Sequence, residues 1–355
     1  MDFSKTQTTF AKFGQFLNYY LNDDYQSIDA VKLANYIKFK QECTKAFQSN
    51  AWFTEENIDY ALAQWAKILT EENLKKWLDQ YETRIGSDHG FKIGVVLAGN
   101  IPIVGFHDFI CVLSSGNDFI GKLSSSDKYL LPAIAEILIL LEPQFIDRIK
   151  FTEERLTNFE AVIATGSNNS ARYFEYYFAK YPNIIRKNRN GVAVLTGEEK
   201  RLDLLSEDIL RYFGLGCRNV SKLYVPEGYK FDHLLGSMGQ FEWMKNHHKY
   251  RNNYDYNKSI LLVNRIKHFD NGFVLLREES SIPSPISVLH YEYYKDIEEL
   301  NDSLDLQSES IQCIISEDTS VKKSLLPGQS QQPNLWDYAD GIDTMEFLLT
   351  LPLIK

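Results

Sequence analysis

Apolar residues recur with a helical period over roughly the first 85 residues and with the spacing of short strands after that. Ile58, Leu62, Trp65 and Leu69 fall at i, i+4, i+7 and i+11, which is one face of an amphipathic helix. Thr70 is placed to cap the next helix, with Glu71 and Glu72 in a first turn where the helix dipole favours acids. Leu74, Trp77, Leu78 and Tyr81 form its apolar stripe. From Phe91 the texture changes. Lys92–Ala98 reads as a buried strand ended by Gly99, Asn100 and Pro102, Phe119–Lys122 as a second, Ala161–Ala164 as a third and Val192–Leu195 as a fourth. Helices are expected between them, one through Leu140 behind a Ser124–Asp127 cap and one over Ala171–Ala179.

Strands that alternate with helices imply βαβ units and a mostly parallel sheet, so the fold class is α/β. Leu202, Leu205, Ile209 and Phe213 mark a further helix, with Gly214 in the position that commonly ends one. Val220–Val225 reads as a strand, and Ser259–Val263, Val288–Tyr291 and Cys313–Ile315 as later ones. Between them the polar stretch Met244–Lys258 reads as an exposed loop.

Length and charge narrow the picture. The 355 residues suit about two domains or one large α/β unit. A net charge of −10 argues against nucleic acid as a partner, because that affinity comes from neutralising phosphate. Cys43, Cys111, Cys217 and Cys313 are scattered without a CxxC pair, which excludes a disulfide framework. Leu130–Leu141 is too short, and with Glu136 too polar, to span a bilayer, so no integral membrane segment is expected. The polar start of the chain is unlike a signal peptide, and a cytoplasmic setting is the simplest expectation.

Ligands of open parallel sheets bind beyond the carboxyl ends of the strands. Gly99-Asn100, Lys122 to Ser125 and Gly166-Ser167 stand at such ends. Neither GxGxxG nor GxxxxGK[ST] is present, which argues against an ordinary dinucleotide fingerprint and a P-loop. Cys217 lies between a glycine-flanked helix end and a strand, with Arg218 beside it to favour the thiolate. A lone cysteine is more often a small buried hydrophobe, and spacing alone leaves both readings open. His247-His248 falls in the polar stretch, and no metal is expected there.

The order of these segments resembles the aldehyde dehydrogenase superfamily, and within it the acyl-CoA reductase branch, the LuxC-type long-chain fatty acyl reductases. Gly99-Asn100-Ile101-Pro102 echoes the P-W-N-[FY]-P loop, and Ser115 to Ser125 echoes A-G-N-x-x-x-x-K-P-S-E. Ala164-Thr165-Gly166-Ser167 is similar to F-T-G-S, Gly214-Leu215-Gly216-Cys217 to G-Q-x-C, and Ser281 to Ile286 to E-I-F-G-P-V. The stretch from Pro327 to Gly341 also resembles the reductase branch. The resemblance implies a helical N-terminal region with a Rossmann-type cofactor domain over residues 1–192. A catalytic domain would follow over 193–325, and a C-terminal segment over 326–355. It makes Cys217 the nucleophile that takes an acyl group from a thioester, with Asn100 and the Cys217 backbone N–H as oxyanion donors. Gly166 and Ser167 would meet the cofactor pyrophosphate, and Lys122 the adenosine ribose or its phosphate. Hydride from the nicotinamide would then release the aldehyde.

Departures from the superfamily pattern sharpen the expectation. No Glu stands where hydrolytic members carry their general base, near Val194 to Gly197, and Glu198 and Glu199 are displaced, which favours a reductase. The Glu of K-P-S-E is Ser125 here, with Ser124, Ser126 and Lys128 close by, so NADPH is the expected cofactor. The E-I-F-G-P-V glutamate is Ser281, and nothing is carried over to it. The expected reaction is therefore NADPH-dependent reduction of an acyl-CoA or acyl-protein thioester to an aldehyde. A homo-oligomer, and a place in a fatty acid reductase complex, are the expected associations. A catalytically idle or acyl-transferring subunit, or another oxidoreductase on the same scaffold, is the alternative.

Overall fold

The computed structural model describes residues 3–23, 30–84 and 90–351. Four helices come first: α1 (Phe3–Leu21), α2 (Ala30–Ser49), α3 (Glu55–Ile68) and α4 (Glu71–Leu78). Thr54 Oγ1 accepts from Asn57 N and Thr70 Oγ1 from Asn73 N, both at 3.2 Å, so each cap takes up a donor that the helix start leaves free. Ile58, Leu62 and Leu69 are buried, as are Leu74, Trp77, Leu78 and Tyr81, which places both apolar stripes in the core. Helix α1 lies so close to the end of α3 that a Cβ on Gly14 would stand 2.4 Å from the Leu69 carbonyl oxygen. Only glycine allows that approach.

The first sheet has five strands, β1 (Lys92–Val96), β2 (Asp118–Lys122), β3 (Ile149–Thr152), β4 (Ala161–Thr165) and β5 (Asn183–Arg186). They are ordered β3-β2-β1-β4-β5 and all pair in parallel. Helices α5 (Phe106–Ser114), α6 (Leu130–Leu141) and α7 (Asn168–Phe178) make the connections after β1, β2 and β4. Ile93, Val95, Phe119, Val162 and Ile163 are buried, as expected of a parallel sheet covered on both faces. Successive strands run outward from β1 in one direction and from β4 in the other. The order therefore reverses between these two neighbours, where such sheets open a crevice.

Residues 188–333 form a second unit. It contains β6 (Asn190–Val194), α8 (Leu202–Leu210), β7 (Val220–Pro226), α9 (Asp232–Ser237), α10 (His248–Val263), β8 (Phe269–Asp270), β9 (Leu275–Glu278), β10 (Val288–Tyr294), α11 (Ile297–Leu306), β11 (Ile311–Ile315) and β12 (Ser324–Leu325). The strand order is β12-β11-β6-β7-β10-β9-β8, parallel except for the β8–β9 edge. Val192, Val194 and Tyr224 pack with Leu300 and Leu304 of α11 and with Ile311 in one core. A boundary at 192 would cut β6, whose pairing with β7 and β11 keeps the whole strand in this unit.

Two expectations fail in the second unit. Met244–Lys258 is not a loop and Ser259–Val263 is not a strand, because Met244–Asn246 ends a 3₁₀ helix and His248–Val263 is α10. His247 caps that helix through Nδ1, which accepts from Tyr250 N at 3.3 Å, so the histidine pair is a helix start. Tyr250, Tyr254 and Leu261 are its buried positions, a helical stripe made of tyrosines that a polar surround conceals. Helix α8 also stops early, at Leu210 and not at Phe213, for a reason that belongs to the site.

The last residues rejoin the first unit, which comprises 1–187 and 334–355 and ends with α12 (Thr344–Thr350). Trp77 Nε1 donates to Tyr338 Oη at 2.7 Å, and Tyr81 Oη donates to Asp343 at 2.5 Å. His107 Nε2 lies 2.8 Å from the Leu335 carbonyl. Arg186, at the end of β5, pairs with Asp108 at 2.5 Å and donates to Thr344 Oγ1 at 2.9 Å. Among the described residues no helix is long and apolar enough to cross a membrane. Replacing Tyr338 by Phe strands the buried Trp77 N–H, which costs roughly 1–3 kcal/mol. Urea denaturation of Tyr338→Phe is expected to show that loss, and an unchanged midpoint would deny the tail this role.

Candidate functional site

Across β2, β1 and β4, Lys122, Val96 and Ala164 lie in register. The chain therefore leaves three neighbouring strands at one edge, and Asn100, Ser124, Ser125, Gly166 and Ser167 are gathered there. Gly99 lets the first two loops touch, since a Cβ on it would lie 2.4 Å from Ser124 Oγ. Behind them Asp127 is buried, and its carboxylate accepts from Ile103 N at 3.2 Å and from Leu130 N, at the start of α6, at 3.4 Å. The same side chain thus fixes the loop that carries Asn100 and the loop that carries Ser124. Burial raises the Asp127 carboxyl to about 6, against the pull of its two backbone donors. The sequence marked Asp127 only as a helix cap, and its reach to Ile103 was not legible there.

Gly166 and Ser167 join β4 to α7. A Cβ on Gly166 would stand 2.9 Å from both Phe174 and Ser170, so glycine is what allows the helix to sit against the strand end. Ser167 caps α7, with its Oγ accepting from Ser170 N at 3.2 Å. No acidic residue occupies the first turn of α7, which leaves the positive end of its dipole uncancelled. Lys122 is half-buried and, among the described residues, makes no ion pair. Ser125 is exposed, and Ser124 Oγ accepts from Ser126 N at 3.2 Å. Lys128 is held by Glu153, so of the two lysines near the serines Lys122 is the available one.

In the second unit, Cys217 sits on a turn between α8 and β7, closed by Asn219 N donating to the Gly216 carbonyl at 3.0 Å. The Asn219 side chain is buried and explains the early end of α8. Its Nδ2 donates to the carbonyls of Asp208 (3.0 Å), Ile209 (3.4 Å) and Arg211 (2.9 Å), and its Oδ1 accepts from Gly216 N at 2.8 Å. These carbonyls are ones a helix end leaves unpaired, so the carboxamide replaces the next turn of helix. Tyr212, Phe213 and Gly214 then take φ values of 55°, 59° and 73°. A left-handed backbone costs roughly 1–2 kcal/mol at each of the two non-glycine residues. Phe213 offsets part of this by packing against Trp243, His247 and Tyr250. Asn219, two residues after the cysteine, escaped the sequence reading, although Asn in a turn was the available signal.

The four thiols fall into two pairs by exposure. Cys43 and Cys111 are buried and Cys217 and Cys313 half-buried. Loss of solvation pushes Cys43 and Cys313 up to about 12 and Cys111 well above the usual thiol range. Glu199 is occupied. Its Oε1 accepts from Thr196 N and from Gly197 N at 2.9 Å, and its Oε2 accepts from Tyr229 Oη at 3.2 Å. Among the described residues no group of three or more His, Cys, Asp and Glu is placed to hold a metal ion.

Comparison with known proteins agrees with this architecture. A family model described as acyl-CoA reductase (LuxC) matches residues 4–185. Aldehyde dehydrogenase 21 from Physcomitrella patens, solved with the product succinate, superposes with a TM-score of 0.64 at 12% identity, over 98% of this chain and 84% of that one. An NAD-dependent aldehyde dehydrogenase from Sinorhizobium meliloti gives 0.61 at 12% identity over 92% and 74%. An NADP-dependent enzyme of E. coli gives 0.56 at 13% identity over 88% and 74%. At such identities the likeness establishes an aldehyde dehydrogenase-like fold. No curated protein sequence matches the chain.

Asp127 supplies a pH test. Its raised pKa means that the charged carboxylate is disfavoured in the folded state above about pH 6, a handicap that fades as pH falls toward the ordinary carboxylate range. Relative to wild type, Asp127→Asn is expected to gain about 2 kcal/mol between pH 4 and pH 7. Denaturation curves at the two pH values measure it, and a pH-independent difference would contradict the assignment.

Proposed function

The chain belongs to the LuxC acyl-CoA reductase family, and from that premise we propose that it reduces a fatty acyl thioester to the aldehyde with NADPH through an acyl-enzyme on Cys217. The observation that carries this reading is the turn that presents Cys217: the thiol stands half-buried between α8 and β7, on a turn that the buried Asn219 carboxamide holds in place. Its sulfur attacks the thioester carbonyl, a new C–S bond forms, and the bond to the carrier breaks, so that the carrier leaves as its thiol. The carrier is coenzyme A or a protein. The family resemblance implies the Cys217 backbone N–H and the Asn100 side-chain amide as donors to the developing oxyanion.

The first unit fits a dinucleotide at its carboxyl edge. Gly99 and Gly166 keep the backbone open, the start of α7 carries no acid, and Lys122 is a cation without an ion pair among the described residues. Gly166 and Ser167 would hold the pyrophosphate, and Lys122, Ser124 and Ser125 the adenosine ribose with its 2′-phosphate. When bound, the nicotinamide cofactor supplies the hydride that reduces the acyl group. Neutral Ser125, where NAD-preferring relatives carry a glutamate, supports NADPH over NADH. Glu199 is tied to Thr196, Gly197 and Tyr229, so it is not poised to activate water, and the acyl group is kept for reduction.

Intact-mass spectrometry after mixing with acyl-CoA is expected to show an acyl adduct that maps to Cys217 and disappears on adding NADPH. Absence of the adduct in wild type, or its persistence in Cys217→Ala, overturns the reading. An adduct that NADPH leaves unchanged instead favours the acyl-transferring alternative. Asn100→Ala is expected to lower kcat by about 10²-fold. A preference for NADH of about tenfold or more, equivalent to about 1.4 kcal/mol, would refute the cofactor assignment alone.

A further inference from the structure

Asp208 is fully buried on α8, yet no basic side chain pairs with it among the described residues. Burial raises its carboxyl, and the donors it meets pull the other way. All of those donors come from one short loop. Gly328 N reaches its Oδ2 at 2.6 Å, while Ser330 N and Ser330 Oγ reach its Oδ1 at 3.0 and 2.6 Å. The loop is shaped for the contact: Gly328 has φ 87°, and a Cβ there would lie 3.2 Å from Leu204. The Ser330 carbonyl then accepts from Arg218 Nε at 2.5 Å, and the Arg218 carbonyl accepts from Cys313 Sγ at 3.6 Å. A continuous path of hydrogen bonds thus runs from Asp208 through the loop to the residue next to Cys217.

An isolated buried carboxylate is costly, and an apolar side chain on α8 would stabilise the unit more simply. What this arrangement provides is position. Arg218 is gripped at Nε, and among the described residues its remaining N–H groups make no hydrogen bond, so the charge is fixed in place but unspent. Cys313 Sγ lies 3.6 Å from the Arg218 carbonyl, and although burial raises that thiol, the Arg218 guanidinium pulls the other way and Cys217 also bears on it, so the three residues share one neighbourhood. We propose that Asp208 is a positioning residue for the nucleophile: through the 328–330 loop it holds the Arg218 guanidinium where it favours the Cys217 thiolate. This rests on Cys217 being the reactive thiol, as proposed above. The other titratable groups around the path are Cys313 and, beside Asp208, Glu207, which is paired with Arg211.

The test is the pH dependence of iodoacetamide alkylation at Cys217, followed by peptide mass mapping, which needs neither acyl-CoA nor reductase activity. Ser330→Ala removes the Oγ bond to Asp208, and with it the one that Gln331 Nε2 donates to that Oγ, and leaves both backbone donors in place, so it keeps the fold where Asp208→Asn loses too much. In Ser330→Ala the alkylation midpoint is expected to move up by about half a pH unit, and in Arg218→Gln by about one unit. Arg218→Lys, which keeps the charge without the Nε grip, is expected to fall between them. With acyl-CoA, kcat of Ser330→Ala is expected to drop about tenfold at little-changed KM. An alkylation profile identical to wild type in folded Ser330→Ala and Arg218→Gln overturns the positioning role. Shifted profiles in a protein that forms no acyl adduct would keep that role and remove the reductase reading instead.

Discussion

The Asn219 carboxamide governs how the second unit presents its reactive residue. A helix that ends in the protein interior must find partners for its last carbonyls, and here one side chain takes three of them. The same group accepts the Gly216 N–H, so the exit from α8, the cysteine turn and the entry to β7 are fixed together. Strain at Tyr212 and Phe213 is tolerated because this network leaves the backbone no other course. Moving the turn by one residue would break the carboxamide's contacts and also the register of β7, a central strand of its sheet.

The first unit uses the same logic with a different group. Asp127 is buried behind the loops that carry Asn100 and Ser124, and it fixes both by accepting their neighbours' backbone N–H groups. In each unit a residue proposed for chemistry, Asn100 or Cys217, is backed by a buried polar one, Asp127 or Asn219. Such side chains add little net stability, since their hydrogen bonds are offset by desolvation. What they add is a single geometry, which is what a site needs when small displacements are costly.

Much of this was legible in the sequence, and the exceptions share a cause. The first sheet, its carboxyl-edge loops and the α3–α4 stripes follow from apolar periodicity and capping residues, because burial selects those residues directly. Helix α10 was lost because tyrosines, hidden among Asn, Lys and Asp, form its buried stripe, and because Ile260-Leu261-Leu262-Val263 taken alone has the length of a strand. The candidate residues stood out at strand ends and beside glycine. Their supports did not. Asp127 meets Ile103 and Asp208 meets Ser330 across 24 and 122 positions, and no local pattern reports a hydrogen bond between distant segments.

The return of residues 334–355 to the first unit also sets an order of events during synthesis. Tyr338, the acceptor for Trp77, is made 261 residues after it. The second unit, being one continuous stretch, has all its strands in hand before that tail exists. The first unit must wait, with Trp77, Tyr81 and Arg186 lacking their last partners while the ribosome translates an entire other sheet. A nascent chain of this topology has the whole of its second unit in hand before the first can close.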